Sequence, residues 1–484
     1  MAEIDLGAPL KAKNGLTDLD EIIMDGEVMR KPDGGAWRVK FDGPEHILTI
    51  GPTRSGKGRR LLAPELIYDT GRSIIVVDPK GELARWTAAH RARFGDVCAI
   101  DPFGLLEAVP GLNLISSGYN PMRWLDPVSE DFIDDATVVA EAICPIESKR
   151  DPHFEQGAQD VVAGLILYHR LVNPAASLGE IRADLARTPK EWRDLLLGDE
   201  MGNTKEGRPC VFMAADMFEV PALWTKLSAL QAISPDDREL NAFIRSAKTQ
   251  TNFLDSPPVS RDLARPGVDF SRLKQHPVTV YLVLPPVRLV THAKWLRLVI
   301  AGAIEALRKT EGQTGRPDTL IILDEFPQLG RMQSVETGVQ LNAGYGIKFW
   351  IVVQNITQLQ GLYDDNWETF TSAGALTAYG PRDPTTSEYL AKLSGERTIE
   401  VRGDTEDHEG RHSTSISRQR RENIMPHQFE QLGKGRMFVR LPSDKAGIAR
   451  FITEVADFTE RDDVPKDVRA LGMAGSGAKR GGGS

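Results

Sequence analysis

The chain has 484 residues, 41% of them hydrophobic, and a formal net charge of −9. That length suffices for two or three packed domains, and the acidic balance excludes a globally basic nucleic-acid binder while leaving room for a local basic surface such as a lined channel. The longest apolar runs, Val161 to Tyr168 and Phe349 to Val353, fall short of the roughly 18 residues that span a bilayer. The start, Met1-Ala2-Glu3-Ile4-Asp5, is unlike a secretory leader, so a cytoplasmic protein is expected. Cys98, Cys144 and Cys210 are far apart and odd in number, and the 9 histidines show no ligand spacing, which supports neither a disulfide framework nor a zinc site.

Residues 1 to about 35 are polar and end in Lys31-Pro32-Asp33-Gly34-Gly35, which predicts a partly ordered arm or a small strand pair. An alternating region begins at 36 and continues to about 130. In it His46-Ile47-Leu48-Thr49-Ile50 reads as a strand running into Gly51-Pro52-Thr53-Arg54-Ser55-Gly56-Lys57-Gly58, with a helix-like segment behind it. This is the layout of a phosphate-binding P-loop: turn amides cradle the phosphates, the helix N-terminus adds its positive end, and Lys57 reaches the terminal phosphates. Gly51, Thr53, Arg54, Ser55, Gly56, Lys57 and Gly58 are thus the expected nucleotide-binding residues. Gly58 stands where Ser or Thr normally gives magnesium a hydroxyl, so the metal has to lean on another protein oxygen, on water or on the nucleotide. Further strands at Ser73 to Asp78 and Val97 to Asp101, with a helix from about Glu82 to Phe94 between them, indicate a parallel α/β sheet covered on both faces.

From 131 to 265 the pattern changes to consecutive amphipathic helices, for example Phe154 to Leu171 and Lys190 to Leu197. This span holds 22 Asp and Glu against 15 Lys and Arg, a net of −7 out of the chain's −9, and it repels a phosphate backbone. It reads as an all-helical insertion for protein partners or as a solvated cap.

The sheet resumes in a second part, 266 to 471, at Val278 to Leu284. Leu320-Ile321-Ile322-Leu323-Asp324-Glu325 then brings an apolar strand to an acidic pair. Such a pair suits a helix N-cap, but beside a P-loop it suits catalysis: Asp324 holds the magnesium shell and Glu325 orients or deprotonates the attacking water. Lys348 to Val353 is a strand ending at Gln354-Asn355, and Gly374 to Tyr379 is another. Residues 400 to 423, with Arg402, Arg411, Arg418, Arg420 and Arg421, read as a mobile loop, and 472 to 484 as a disordered tail.

Several motifs in this order resemble those of the type IV secretion coupling proteins, a resemblance that covers roughly residues 40 to 460. They are the P-loop at 51 to 58, Val-Asp-Pro-Lys-Gly-Glu at 77 to 82, Asp-Pro-Phe at 101 to 103 and Tyr-Asn-Pro at 119 to 121. Tyr-Leu-Val-Leu-Pro-Pro at 281 to 286, Leu-Asp-Glu-Phe-Pro-Gln-Leu-Gly-Arg at 323 to 331 and Gln-Asn-Ile-Thr-Gln-Leu at 354 to 359 complete the set. The resemblance implies a RecA-like P-loop ATPase with an all-α domain inserted into the nucleotide-binding domain. ATP and Mg2+ are its implied cofactors, and the implied active form is a homo-oligomeric, hexameric ring with each active site at a subunit boundary. Its implied partners are single-stranded DNA, a relaxase or relaxosome or effector proteins, and components of the secretion channel.

The resemblance also implies that Gln354 senses the terminal phosphate and that a neighbouring subunit supplies an arginine finger, for which Arg331 and Arg382 are the candidates. Family members usually begin with transmembrane helices. None is legible here, so recruitment to the inner face of the cytoplasmic membrane by partners is expected. An ATP-gated docking platform that recruits substrates without pumping DNA is the alternative to a translocating motor. Tyr363 and Trp367 are aromatic candidates for base stacking, with packing the more ordinary role.

Overall fold

The apolar runs of the sequence form the middle of one large sheet. The structure, a computed structural model, describes residues 3–11, 27–109, 111–112, 114–146, 152–234, 236–310, 318–406, 412–443 and 447–477. Its strands are β1 (Ile4–Asp5), β2 (Ala8–Lys11), β3 (Glu27–Val28), β4 (Lys40–Phe41), β5 (His46–Ile50), β6 (Ile74–Val77), β7 (Asp96–Ile100) and β8 (Val278–Leu282). The later strands are β9 (Thr319–Leu323), β10 (Ile347–Val353), β11 (Gly374–Tyr379), β12 (Glu396–Glu406), β13 (His412–Glu422), β14 (Arg436–Ser443) and β15 (Gly447–Glu454).

Eleven of these strands lie in the order β3-β2-β15-β14-β11-β5-β10-β9-β6-β8-β7. From β11 to β7 every neighbouring pair is parallel, and from β11 to β3 every pair is antiparallel. Residues in β5, β6, β8, β9 and β10 are buried throughout, as expected for parallel strands covered on both faces. Alternate residues feed different cores: Ile74, Val76, Leu320 and Ile322 join one, and Ile75, Val77, Ile321 and Leu323 the other, which is the period of two of an extended chain. Trp350 Nε1 donates to Thr49 Oγ1 at 2.8 Å and Thr49 shares a buried hydroxyl contact with Thr377 at 2.7 Å, so β5 is tied through its polar side chain to both neighbours.

Between β7 and β8 the chain is helical. Its longest helices are Phe132–Ile143, His153–Val172 and Arg238–Gln250, and capping boxes at Ser177 with Glu180 and Thr188 with Glu191 start two shorter ones. The buried apolar cluster on one sheet face runs on into these helices through Val162, Ile166 and Leu223, and includes Trp295 and Val299 of the helix Leu289–Lys309 that follows β8. Among the described residues no helix is long and apolar enough to cross a membrane.

The described parts of the N-terminal arm hold a small strand pair, one of the two alternatives expected: β2 pairs with β3 and the two extend the large sheet beyond β15, while β1 pairs with β4; residues 12–26 lie outside the described residues. Two expectations are corrected. The described parts of the supposed mobile loop at 400 to 423 are instead strands of a long antiparallel pair, β12 with β13, from Glu396 with Glu422 to Glu406 with His412; 407–411, Arg411 among them, lie outside the described residues. A ribbon lying clear of the core needs no apolar face, so its polarity masked the strand signal of Thr398, Ile399 and Val401. The tail is also partly ordered, because a helix spans Lys466–Gly477; only 478–484 lie outside the described residues.

Candidate active site

Strand register decides which side chains meet. Val353 of β10 is level with Ile50 of β5, Ile351 with Leu323 of β9, and Val77 of β6 with Leu323. The residues that follow these strand ends, the loop from Gly51, Asp78, Asp324 with Glu325, and Gln354, therefore emerge along one edge of the sheet, where ligands of open parallel sheets bind.

The loop turns through Gly56 at φ 98°, and Arg54 is held at φ 67°, a conformation that costs a non-glycine residue of order 1 kcal/mol. The helix behind it opens with a widened turn over Gly58–Leu62, in which the Ala63 amide donates to the Gly58 carbonyl. Lys57 is 8% exposed and its Nζ donates to the carbonyls of Gly51 at 2.5 Å and Pro52 at 3.4 Å. Burial lowers its pKa, against the pull of the Asp324 and Glu325 carboxylates. Ser55 Oγ is buried and has no hydrogen-bond partner among the described residues. A buried ammonium resting on its own loop carbonyls, beside an unpartnered buried hydroxyl, is a donor set that fits an anion such as a polyphosphate.

Asp324 ends β9. Burial and the adjacent Glu325 carboxylate push its carboxyl up to about 6, against Lys57 and the Glu325 amide. Among the described residues it accepts one hydrogen bond, from the Glu325 amide at 3.0 Å, and makes no ion pair, which leaves oxygen lone pairs for a magnesium ion. A Cβ at Gly58 would meet nothing within 4 Å, so packing does not forbid the hydroxyl missing there; Asp324, phosphate oxygens and water are the donors this site can offer. Glu325 lies in the left-handed region at φ 55°. Gln354 Nε2 donates to Glu325 Oε2 at 2.8 Å and Thr53 Oγ1 donates to Gln354 Oε1 at 3.2 Å. The phosphate loop, the strand-end glutamine and the carboxylate that faces the cavity are thus joined in one chain of hydrogen bonds.

The cavity over the loop has a volume of about 770 Å³ and is walled by the loop, Asp324 and Glu325 together with Asp78, Lys80 and Trp86. Asp78, Lys80 and Trp86 were not among the expected site residues. Asp78 caps the Glu82–Arg91 helix by accepting from the Glu82 and Ala84 amides at 3.1 and 2.8 Å. Burial raises its carboxyl to about 7, with those amides opposing and Asp324 adding to the rise. The signal available for Asp78 was its place after β6, but that it adjoins Asp324 follows only from β6 lying next to β9.

Neither arginine candidate lines this cavity. Arg331 is bound within its own chain, donating to both Glu336 oxygens at 3.1 to 3.2 Å, and lies over the Tyr363 ring. Arg382 follows β11 at the same sheet edge as the loop, is exposed, and makes no hydrogen bond or ion pair among the described residues. Tyr363 is 1% exposed, its hydroxyl accepts from the Met332 amide at 3.1 Å, and it packs on Phe326 and Phe370, so it is a core residue. Trp367 packs edge-on against Tyr389.

Residues 11–449 match the family described as type IV secretory system conjugative DNA transfer. The chain belongs to that family. The conjugal transfer protein TraG of Escherichia coli is 27% identical over 389 residues, covering 76% of this chain and 58% of TraG. VirD4 of Agrobacterium fabrum is 27% identical over 388 residues, covering 78% of this chain and 54% of VirD4. The chain thus spans a little over half the length of these curated relatives. The crystallised conjugative coupling protein TrwB has the same fold: its complex with a non-hydrolysable ATP analogue aligns with a TM-score of 0.60 at 15% identity over 94% of both chains, and its unbound form with 0.58 at 14%. The RecA-like P-loop fold of the coupling proteins is therefore that of this chain.

Proposed function

We propose that this protein is an ATP-hydrolysing coupling protein that delivers single-stranded DNA with its relaxase, or protein effectors, to a type IV secretion channel. The observation that carries the reading is the hydrogen-bonded chain from Thr53 through Gln354 to Glu325, because it links the phosphate loop to the carboxylate placed to act on water. Family membership and the relatives' names support the transport role. The TrwB structures with nucleotide analogues and with ADP and Mg2+ support ATP as the ligand.

On this reading Lys57 exchanges the Gly51 and Pro52 carbonyls for phosphate oxygens, and Ser55 gains its missing partner. Asp324 holds magnesium, which when bound neutralises charge on the phosphates. Glu325 takes a proton from the attacking water, and Gln354 transmits the state of the terminal phosphate from Glu325 to β10. The arginine finger comes from a neighbouring subunit in a ring, with Arg382 the better placed candidate because it is unpaired and on the loop's edge of the sheet. The acidic helices of 131 to 265 form the surface that reads protein partners, and the sheet part works on DNA. Partners bring the protein to the cytoplasmic face of the membrane.

The deciding assay is ATP hydrolysis by the purified chain with and without single-stranded DNA, with mass measured in the same buffer. DNA-stimulated turnover accompanied by assembly is expected. Turnover indifferent to DNA at every concentration would refute the motor and leave the docking platform.

A further inference from the structure

Besides the polar residues of the loop and the strand ends, the cavity is walled by the apolar side chains of Leu83, Trp86, Val109 and Leu471. Leu471 comes from the C-terminal helix Lys466–Gly477, far along the chain from the phosphate loop but lining the same cavity. It is 44% exposed, so its side chain is open to whatever enters the cavity.

The helix is fastened to the phosphate loop by Arg59, the second residue after Lys57. Arg59 Nε donates to Asp457 Oδ2 at 2.6 Å, Nη2 to Thr459 Oγ1 at 3.1 Å and Nη1 to the Gly472 carbonyl at 3.0 Å. Its guanidinium lies 5.3 Å from the Trp86 ring and 5.2 Å from the Phe458 ring, two rings that are 5.4 Å apart, so the cation rests against an aromatic pair. At Gly472 a Cβ would fall 2.3 Å from Phe458 Cζ and 2.5 Å from Thr459 Cγ2. The helix therefore docks at van der Waals contact, and its residue 471 is held over the cavity.

We propose that the C-terminal helix closes the nucleoside end of the site, with Leu471 covering the base or ribose and Arg59 positioning that cover on the phosphate loop. The inference rests on the nucleotide reading above. Apolar surface of this kind contributes to binding of a flat, weakly hydrated base but nothing to binding of phosphates.

The test is calorimetric titration of the full chain with MgATP and, separately, with magnesium tripolyphosphate, which has the phosphates and no nucleoside. Leu471→Asp is expected to weaken ATP binding about tenfold and leave tripolyphosphate binding unchanged, with Leu471→Ile restoring ATP affinity. Arg59→Ala is expected to weaken ATP more than tripolyphosphate, since it displaces the cover rather than the phosphate donors. ATP binding that Lys57→Ala abolishes but Leu471→Asp leaves untouched, or equal losses of both ligands in Leu471→Asp, overturns the cover alone. Absence of ATP binding in the unaltered chain overturns the nucleotide reading and the cover with it.

Discussion

Replacing Asp324 with Asn separates stability from function at the site. Burial and the Glu325 carboxylate raise the Asp324 carboxyl from 3.8 to about 6, and by linkage that difference means that the ionised form costs the fold about 3 kcal/mol relative to the neutral one. Asparagine keeps an oxygen for the Glu325 amide and carries no charge. The sign follows from the raised value: the neutral carboxyl is favoured below the unfolded value, and its contribution is lost as pH rises through about 6. In nucleotide-free protein Asp324→Asn should therefore melt higher than the unaltered chain at pH 7.5, by about 6 °C at roughly 2 °C per kcal/mol for a large domain. The gain should vanish near pH 4, where the unaltered carboxyl is itself neutral. The assay is differential scanning calorimetry at both pH values, with turnover measured in parallel and expected to be lost. A lower melting temperature for the variant at pH 7.5, or a gain unchanged at pH 4, would refute the argument that this carboxylate is held charged at the fold's expense.

Glu325→Gln should retain MgATP binding and hydrolyse at least about a hundredfold more slowly, whereas Lys57→Ala should lose binding; near-normal turnover of Glu325→Gln in a single-turnover assay would remove its assignment as the base. Tyr363→Phe leaves the buried Met332 amide without its acceptor, so denaturation should show a loss of about 1 to 3 kcal/mol while affinity for single-stranded DNA, read by anisotropy, stays unchanged. On the proposed shared site, turnover per chain should rise with protein concentration; a flat response across a hundredfold dilution of a monomer would contradict it. Arg382→Ala should abolish that rise without changing ATP affinity in the monomer.

Much of this was legible because the chemistry lies at the ends of strands that have to be apolar. β5 and β11 were read to the residue, and β9 and β10 to within one, since continuous burial leaves continuous runs in the sequence. The acidic pair and Gln354 followed from their places after those runs. What could not be read was lateral order: nothing in Asp78 itself announces that β6 adjoins β9. The hairpin was missed because charged and polar residues dominate its strands, and the end of the C-terminal helix because Gly472, Ala474, Gly475 and Ser476 read as a flexible tail, when Gly472 is small for the sake of Phe458.

The order of the sheet also dictates when the site comes into being during synthesis. β5, β6 and β7 are the first long strands to leave the ribosome, yet none of them neighbours another. β6 and β7 wait for β8 on the far side of the helical span, and β5 for β10 and β11, some three hundred residues later. The helices between β7 and β8 hold mostly local contacts and can collapse at once, while three apolar strands remain unpaired behind them and exposed to wrong partners. The phosphate loop is among the earliest segments made and among the last to acquire its shape, so a nascent chain of this protein is a natural client for chaperones until residue 379 has emerged.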